Sequence, residues 1–214
     1  MKKNNLVIFW DWNGTIVNDA LVFVEILNVF LKKNKLPLMS LEKYRASFCF
    51  PISLFYKKIK LYQTQENFEK LTKEFVGLYS QKMKNPPLVN NIVSALDFFN
   101  KKNIKQCVLS AQNQKTLDFL VDFYGLRKYF TFVVGVKNDY ALGKEGQAKL
   151  LKKNFDSENL VVVGDTDLDW LVSKKIGARC VLVDWGHNNK KRLLRHSSFV
   201  CSSIKDLKTA VLSC

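Results

Sequence analysis

The sequence predicts an α/β fold: a doubly wound parallel sheet with an all-helical segment inserted into it. Three observations predict it. Short apolar runs recur along the chain and stop abruptly at polar residues. Helical patterns separate most of them, the alternation expected of a parallel sheet covered on both faces. One long interval, about 18 to 87, contains helical patterns and no convincing strand.

The first run, Leu6 to Trp10, is continuously apolar and breaks at Asp11. Such a run suits a strand buried on both faces. Asp11 then stands at the strand's carboxyl end, where open α/β sheets bind ligands, and Gly14 permits a sharp turn just beyond it. Asn18 or Asp19 is placed to cap the helical run from Ala20 to Leu31, and Lys32 and Lys33 suit its negative end. Leu36-Pro37 breaks the chain. Ser40 is a plausible cap for the next helix, Pro51 interrupts, and helical spacing continues through Tyr56 and from Gln65 to about Met83. Phe68, Leu71, Phe75, Leu78 and Tyr79 in that stretch read as core. Pro86-Pro87 closes the interval.

An amphipathic helix follows from Asn91 to Lys101, then the strand Ile104 to Ala111, which ends in a hydroxyl at Ser110. A helix from about Gln114 to Tyr124 stops at Gly125. Phe130 to Val134 is a third strand, and a helix from about Gly146 to Asn154 opens just after Lys144. Leu160 to Gly164 is a fourth strand ending in Gly164-Asp165, with Asp169 four residues on. Leu168 to Lys175 is helical, Ala178 to Val183 is a fifth strand, Ser198 to Cys201 offers a sixth, and Ile204 to Leu212 is a terminal helix.

The chain has 214 residues, 47% hydrophobic and 25% charged, which describes an ordinary globular domain with room for a small second unit. No run approaches the roughly 18 apolar residues of a membrane span, and the basic Met1-Lys2-Lys3 start is not followed by a secretory apolar stretch. The five cysteines are odd in number and lack metal-ligand spacing, as expected of core thiols in a reducing cytoplasm. The formal charge of +15 raises the question of nucleic acid. The lysines, however, fall in scattered pairs, and only Lys190-Lys191-Arg192 with Arg195 is denser. Compositional bias explains this better than a binding surface, although a positive potential would steer anionic substrates inward. Oligomeric state leaves no mark on the sequence.

The ordered set Asp11-Trp12-Asn13-Gly14-Thr15, Ser110, Lys144 and Gly164-Asp165 with Asp169 resembles the haloacid dehalogenase superfamily of phosphatases and phosphotransferases, and its phosphoglycolate-phosphatase-like branch in particular. The resemblance spans nearly the whole chain. It implies a Rossmann-like core over residues 1–17 and 88–214 and a helical cap over 18–87, with hinges near Thr15 to Asn18 and Lys84 to Asn90. It also implies Mg²⁺, a small phosphorylated metabolite as substrate, and Asp11 as the nucleophile that forms an aspartyl-phosphate. Asp11, Asp165, Asp169 and the backbone carbonyl of Asn13 would hold the metal. Thr15, Ser110, Ala111 and Lys144 would hold the phosphoryl group, and Lys144 would also neutralise Asp11.

Some readings stay open at this level. Lys137 competes with Lys144, whose spacing before Asp165 and following helix favour it. Asp165 and Asp169 also fit a loop with a helix cap, but three converging carboxylates call for a cation. Arg45, among aromatics in the cap, faces either a substrate anion or solvent. One departure from the family pattern matters: the general acid/base aspartate two residues after the nucleophile is Asn13 here. An amide cannot transfer that proton, and losing such a group typically costs about 10² to 10⁴ in rate. A phosphate-binding protein with impaired turnover is therefore the alternative. His187 could stand in as an acid, but a lone loop histidine usually decorates a surface.

Overall fold

The computed structural model describes residues 5–62, 64–83, 86–137, 144–155, 159–197 and 199–214. The sheet has six strands in the order β3-β2-β1-β4-β5-β6. These are β1 (Val7–Trp10), β2 (Lys105–Asn113), β3 (Phe132–Val136), β4 (Leu160–Gly164), β5 (Arg179–Val183) and β6 (Val200–Cys201). Every pairing is parallel.

The continuous apolar run of β1 follows from its central position. Ile8 and Trp10 pack into one core, Val7 and Phe9 into the core on the opposite face, and all four are buried. A strand with two dry faces cannot alternate polar and apolar residues. β2 lies on one side of β1 and β4 on the other, so β1 is where the strand order reverses. Crevices at such points lie beyond the strands' carboxyl ends. Trp10 pairs with Val108 and with Val163. Asp11, Ser110 and Asp165 therefore leave three neighbouring strands at the same sheet edge.

The inserted interval folds into four helices: α1 (Ala20–Lys33), α2 (Leu41–Ser47), α3 (Ile52–Lys58) and α4 (Gln65–Lys82). They enclose an aromatic-rich core of their own, including Phe23, Phe30, Tyr44, Phe55, Tyr56 and Phe75. Ser40 and Thr64 accept hydrogen bonds at the starts of α2 and α4, as their cap positions require. The linkers into and out of this unit pair antiparallel. Val17 bridges Leu88, Asn18 N donates to Pro87 O (2.8 Å), and Val89 N donates to Ile16 O (2.9 Å). Two crossings held side by side make a narrow joint. Lys84, assigned to the second hinge, lies outside the described residues.

The remaining helices cover the sheet: α5 (Ile92–Lys101), α6 (Gln114–Phe123), α7 (Glu145–Lys152), α8 (Asp167–Lys175), α9 (Lys190–Leu193) and α10 (Ile204–Ser213). Two small features departed from expectation. The sequence gave no sign of α9, one turn capped by Asn189. The second strand runs two residues past Ala111, to Asn113, with an irregular register against β3. Among the described residues, no helix is long and apolar enough to cross a membrane.

Candidate active site

The strand ends gather four charged side chains. Asp11, Asp165 and Asp169 are buried, and one carboxylate oxygen from each lies within 4.8 Å of the others. Lys144, at the start of α7 and 1% exposed, is ion-paired with Asp11, lies 2.7 Å from Asp169 Oδ1, and donates to Leu109 O at 3.0 Å. Lys137 is exposed. The structure thus selects Lys144 over its competitor.

Asp169 performs two tasks. Its Oδ2 accepts from Thr166 N (3.0 Å), Thr166 Oγ1 (2.7 Å) and Asp165 N (3.2 Å), closing the first turn of α8, while Oδ1 faces Lys144. The helix-cap reading and the charge-cluster reading of this residue both hold. Asp165 accepts from Thr15 Oγ1 (3.0 Å) and from His187 N (2.6 Å). Thr15, expected against the phosphoryl group, therefore braces Asp165. Two glycines make room for the carboxylates. Gly14 adopts φ +78°, and a Cβ there would lie 2.3 Å from Asp165 Oδ2. A Cβ on Gly164 would lie 2.1 Å from Asp169 Cγ.

Burial pushes the Asp11 carboxyl well above its ordinary range. Lys144 pulls it down, and Asp169 and Asp165 push it further up. Burial likewise raises Asp165, to about 6, against the favourable charge of His187. Burial opposes the charge on Lys144, but Asp11 and Asp169 outweigh it and hold the ammonium protonated. Three buried carboxylates facing one lysine leave a surplus of negative charge in low dielectric. An all-oxygen donor set with that surplus fits a hard divalent cation such as Mg²⁺.

A cavity of about 180 Å³ opens in front of this cluster. Asp11, Ser110, Ala111, Lys144 and Thr166 line its floor, and Phe23, Phe48, Tyr56, Phe75 and Tyr79 line its roof. Ser110 is buried, and its Oγ accepts from Gln112 N at 3.0 Å. Arg45 is not brought to the cavity. Its guanidinium donates to the backbone oxygens of Gly186 (2.7 Å) and Trp185 (2.5 Å), pinning α2 to the loop after β5.

Sequence reasoning passed over a second cluster around Asn13. Asn13 Nδ2 donates to Asp19 Oδ2 (3.0 Å) and to Tyr79 Oη (2.7 Å). Tyr79 in turn donates to Asp19 Oδ2 (2.5 Å). Asp19 precedes α1 but makes no side-chain cap bond to it. It instead accepts from Gly14 N (2.7 Å) and faces His187 Nε2 (3.2 Å). His187 is buried on the cavity wall, with Nδ1 2.7 Å from Tyr44 Oη. The surface-decoration reading of this histidine is overturned. Burial would lower His187, but Asp19 outweighs it and lifts the imidazole to about 9. Asp19 falls below its ordinary value because His187 outweighs its own burial. Residues 6, 66 and 168 positions apart meet here. The asparagine beside the nucleophile was the one signal in the sequence that something nearby had changed.

A parallel sheet with a carboxylate cluster and a buried lysine at its switch point, closed over by a helical insertion, defines the class: a capped α/β protein built to hold a cation and an anion together. The chain belongs to the haloacid dehalogenase-like hydrolases, whose family model matches residues 7–183. It is similar to the phosphoglycolate phosphatase of Aquifex aeolicus, 24% identical over 196 residues that cover 85% of each chain. It is also similar to phosphoglycolate phosphatase 1 of Pseudomonas aeruginosa, 21% identical over 148 residues covering 67% of this chain. The match spans about half, 54%, of the Pseudomonas protein's length. In fold it matches a haloacid dehalogenase-like hydrolase of Streptococcus pneumoniae, with a TM-score of 0.79 at 16% identity, covering 96% of this chain and 98% of that one.

Proposed function

We propose that the protein is a Mg²⁺-dependent phosphatase that hydrolyses a small phosphorylated metabolite through an aspartyl-phosphate on Asp11. The observation that carries this reading is the position of Asp11. Alone among the three clustered carboxylates it lines the cavity, while Asp165 and Asp169 stand behind it. An Asp11 oxygen attacks phosphorus, the bond to the leaving oxygen breaks, and the phosphoryl group rests on the carboxylate. Water then attacks phosphorus and frees Asp11 and phosphate. Ser110 and Lys144 hold phosphoryl oxygens, with backbone N–H groups beyond β2. Asp11, Asp165, Asp169 and the Asn13 carbonyl would hold Mg²⁺, which when bound neutralises charge on the carboxylates and the phosphoryl oxygens.

Asn13 supplies no proton to the leaving oxygen, since its amide N–H bonds go to Asp19 and Tyr79. Rates should therefore depend steeply on the leaving group, with acyl and aryl phosphates fastest. The same amide favours one rival, a phosphate-binding protein that does not turn over. Hydrolysis of an aryl phosphate by wild type and Asp11→Asn, with and without Mg²⁺, separates the two. The phosphatase reading expects Mg²⁺-dependent release of phosphate, lost in Asp11→Asn. Equal rates in both proteins would end the nucleophile assignment. Mg²⁺-dependent ligand binding without release would favour the rival.

A further inference from the structure

Resting on the phosphatase reading, we infer that the substrate's leaving group is a neutral, apolar body, about the size of a single ring, with one polar group, and not a carboxylate-bearing chain such as glycolate. Three observations lead there. The roof over Asp11 is aromatic and aliphatic: Phe48, Ile52, Tyr56, Phe75 and Val76 face the cavity from α2, α3, α4 and the segment between. Among the described residues lining it, the cations are Lys144, occupied by Asp11 and Asp169, and His187, paired with Asp19. Arg45, the guanidinium nearest in sequence to this roof, is committed to two backbone carbonyls outside the cavity. A carboxylate on the leaving group would thus be desolvated against aromatic rings, facing Asp11 and Asp19 with no free partner.

The third observation fixes the polar group. Thr72 lines the roof, is buried, and its Oγ1 has no hydrogen-bond partner among the described residues. Buried hydroxyls are normally satisfied. An orphan in a cavity wall is a recognition point for a ligand hydroxyl, carbonyl or ring nitrogen. Size agrees as well. An apolar cavity near 150 Å³ admits benzene, and this one, about 180 Å³, must also take part of the phosphoryl group. A one-ring or similarly compact body fits, and a nucleoside does not.

The test compares benzyl phosphate with 2-phosphoglycolate, two unactivated alkyl esters, at saturating Mg²⁺. Wild type should favour benzyl phosphate in kcat/KM by roughly 10², the discrimination expected of an apolar pocket. Val76→Lys, which places an ammonium at the half-buried roof, should narrow that ratio at least tenfold. Thr72→Val should leave benzyl phosphate unchanged and weaken 4-(hydroxymethyl)benzyl phosphate about fivefold in KM. Equal or better hydrolysis of 2-phosphoglycolate by wild type would overturn the inference and leave the phosphatase reading standing. Hydrolysis of neither ester would remove turnover, and binding then decides. Calorimetry with Mg²⁺ and 2-phenylethylphosphonate against 3-phosphonopropionate supports the apolar site if the phenyl compound binds tighter, and overturns it if the order is equal or reversed.

Discussion

Replacing Asn13 with aspartate places a second carboxylate 3.0 Å from Asp19 Oδ2, where the amide now donates a hydrogen bond. Two unit charges at that distance repel by about 5 kcal/mol at an effective dielectric near 20. The alternative is for the new carboxyl to take a proton, which at pH 7 costs about 4 kcal/mol for a group with an ordinary pKa near 4. Protonation is the cheaper course, and it restores a donor toward Asp19. Asp19 keeps its own charge because His187 holds its pKa low. The new group's folded pKa is therefore raised. Its penalty is absent below the unfolded value near 4 and grows with pH by about 1.4 kcal/mol per unit until the folded pKa is passed. Asn13→Asp should thus be destabilised by about 4 kcal/mol at pH 7 and by only about 1.5 at pH 5. Urea unfolding in EDTA across that range measures the slope. The double variant Asn13→Asp/Asp19→Asn, which exchanges amide and carboxyl, should lose it. A penalty constant to within about 0.5 kcal/mol between pH 5 and 7 would refute the reasoning, since an uncoupled surface change has no such slope.

Three further outcomes follow from the same geometry. If the variant carboxyl is held protonated beside the nucleophile, Asn13→Asp should raise kcat on benzyl phosphate by as much as about 10² and change acyl phosphates little, as steady-state phosphate release will show. His187 is raised to about 9, so its pairing with Asp19 is fully stabilising below the unfolded value of 6.5 and is lost as pH rises through 9. Wild type should accordingly lose about 3 kcal/mol of unfolding free energy between pH 6.5 and 10 relative to His187→Gln, measured by urea titration. Lys144→Met leaves Asp11 and Asp169 without their buried counter-charge and should cost about 3–5 kcal/mol in EDTA, read by the same method.

The fold was legible because its signals are local. β1 had to be apolar throughout to fill two cores, and that run, broken by Asp11, is plain in the chain. The floor of the site was legible for a related reason: each strand end carries its own polar residue, and the sheet alone brings Asp11, Ser110 and Asp165 to one edge. What escaped is everything that depends on docking the helical insertion. Asp19 reads as a helix cap until Gly14, Tyr79 and His187 claim its oxygens. Arg45 reads as an anion clamp until Trp185 and Gly186 present their carbonyls. Neither side chain's partner is close in sequence, and no periodicity points to it. The dense basic group 190–195 was ambiguous for the same reason: Arg192 is consumed internally, by Asp167 and Phe48 O.

The loop after β5 joins these long-range contacts into one device. Its Gly186 lets Asp165 approach so closely that a Cβ there would lie 2.1 Å from Asp165 Oδ2, and His187 N holds that same oxygen. The other side of the loop grips the insertion: Gly186 and Trp185 through Arg45, His187 through Tyr44, and Asn188 through Phe48 O at 3.0 Å. Tyr44 and Phe48 also pack against Phe23 in the roof. Seating the helical unit and setting the position of Asp165 are therefore one event, because the same four residues, 185 to 188, make both sets of contacts. A lid built this way brings its aromatic roof over Asp11 only when the carboxylate cluster beneath is braced, which ties water exclusion to a site ready to react.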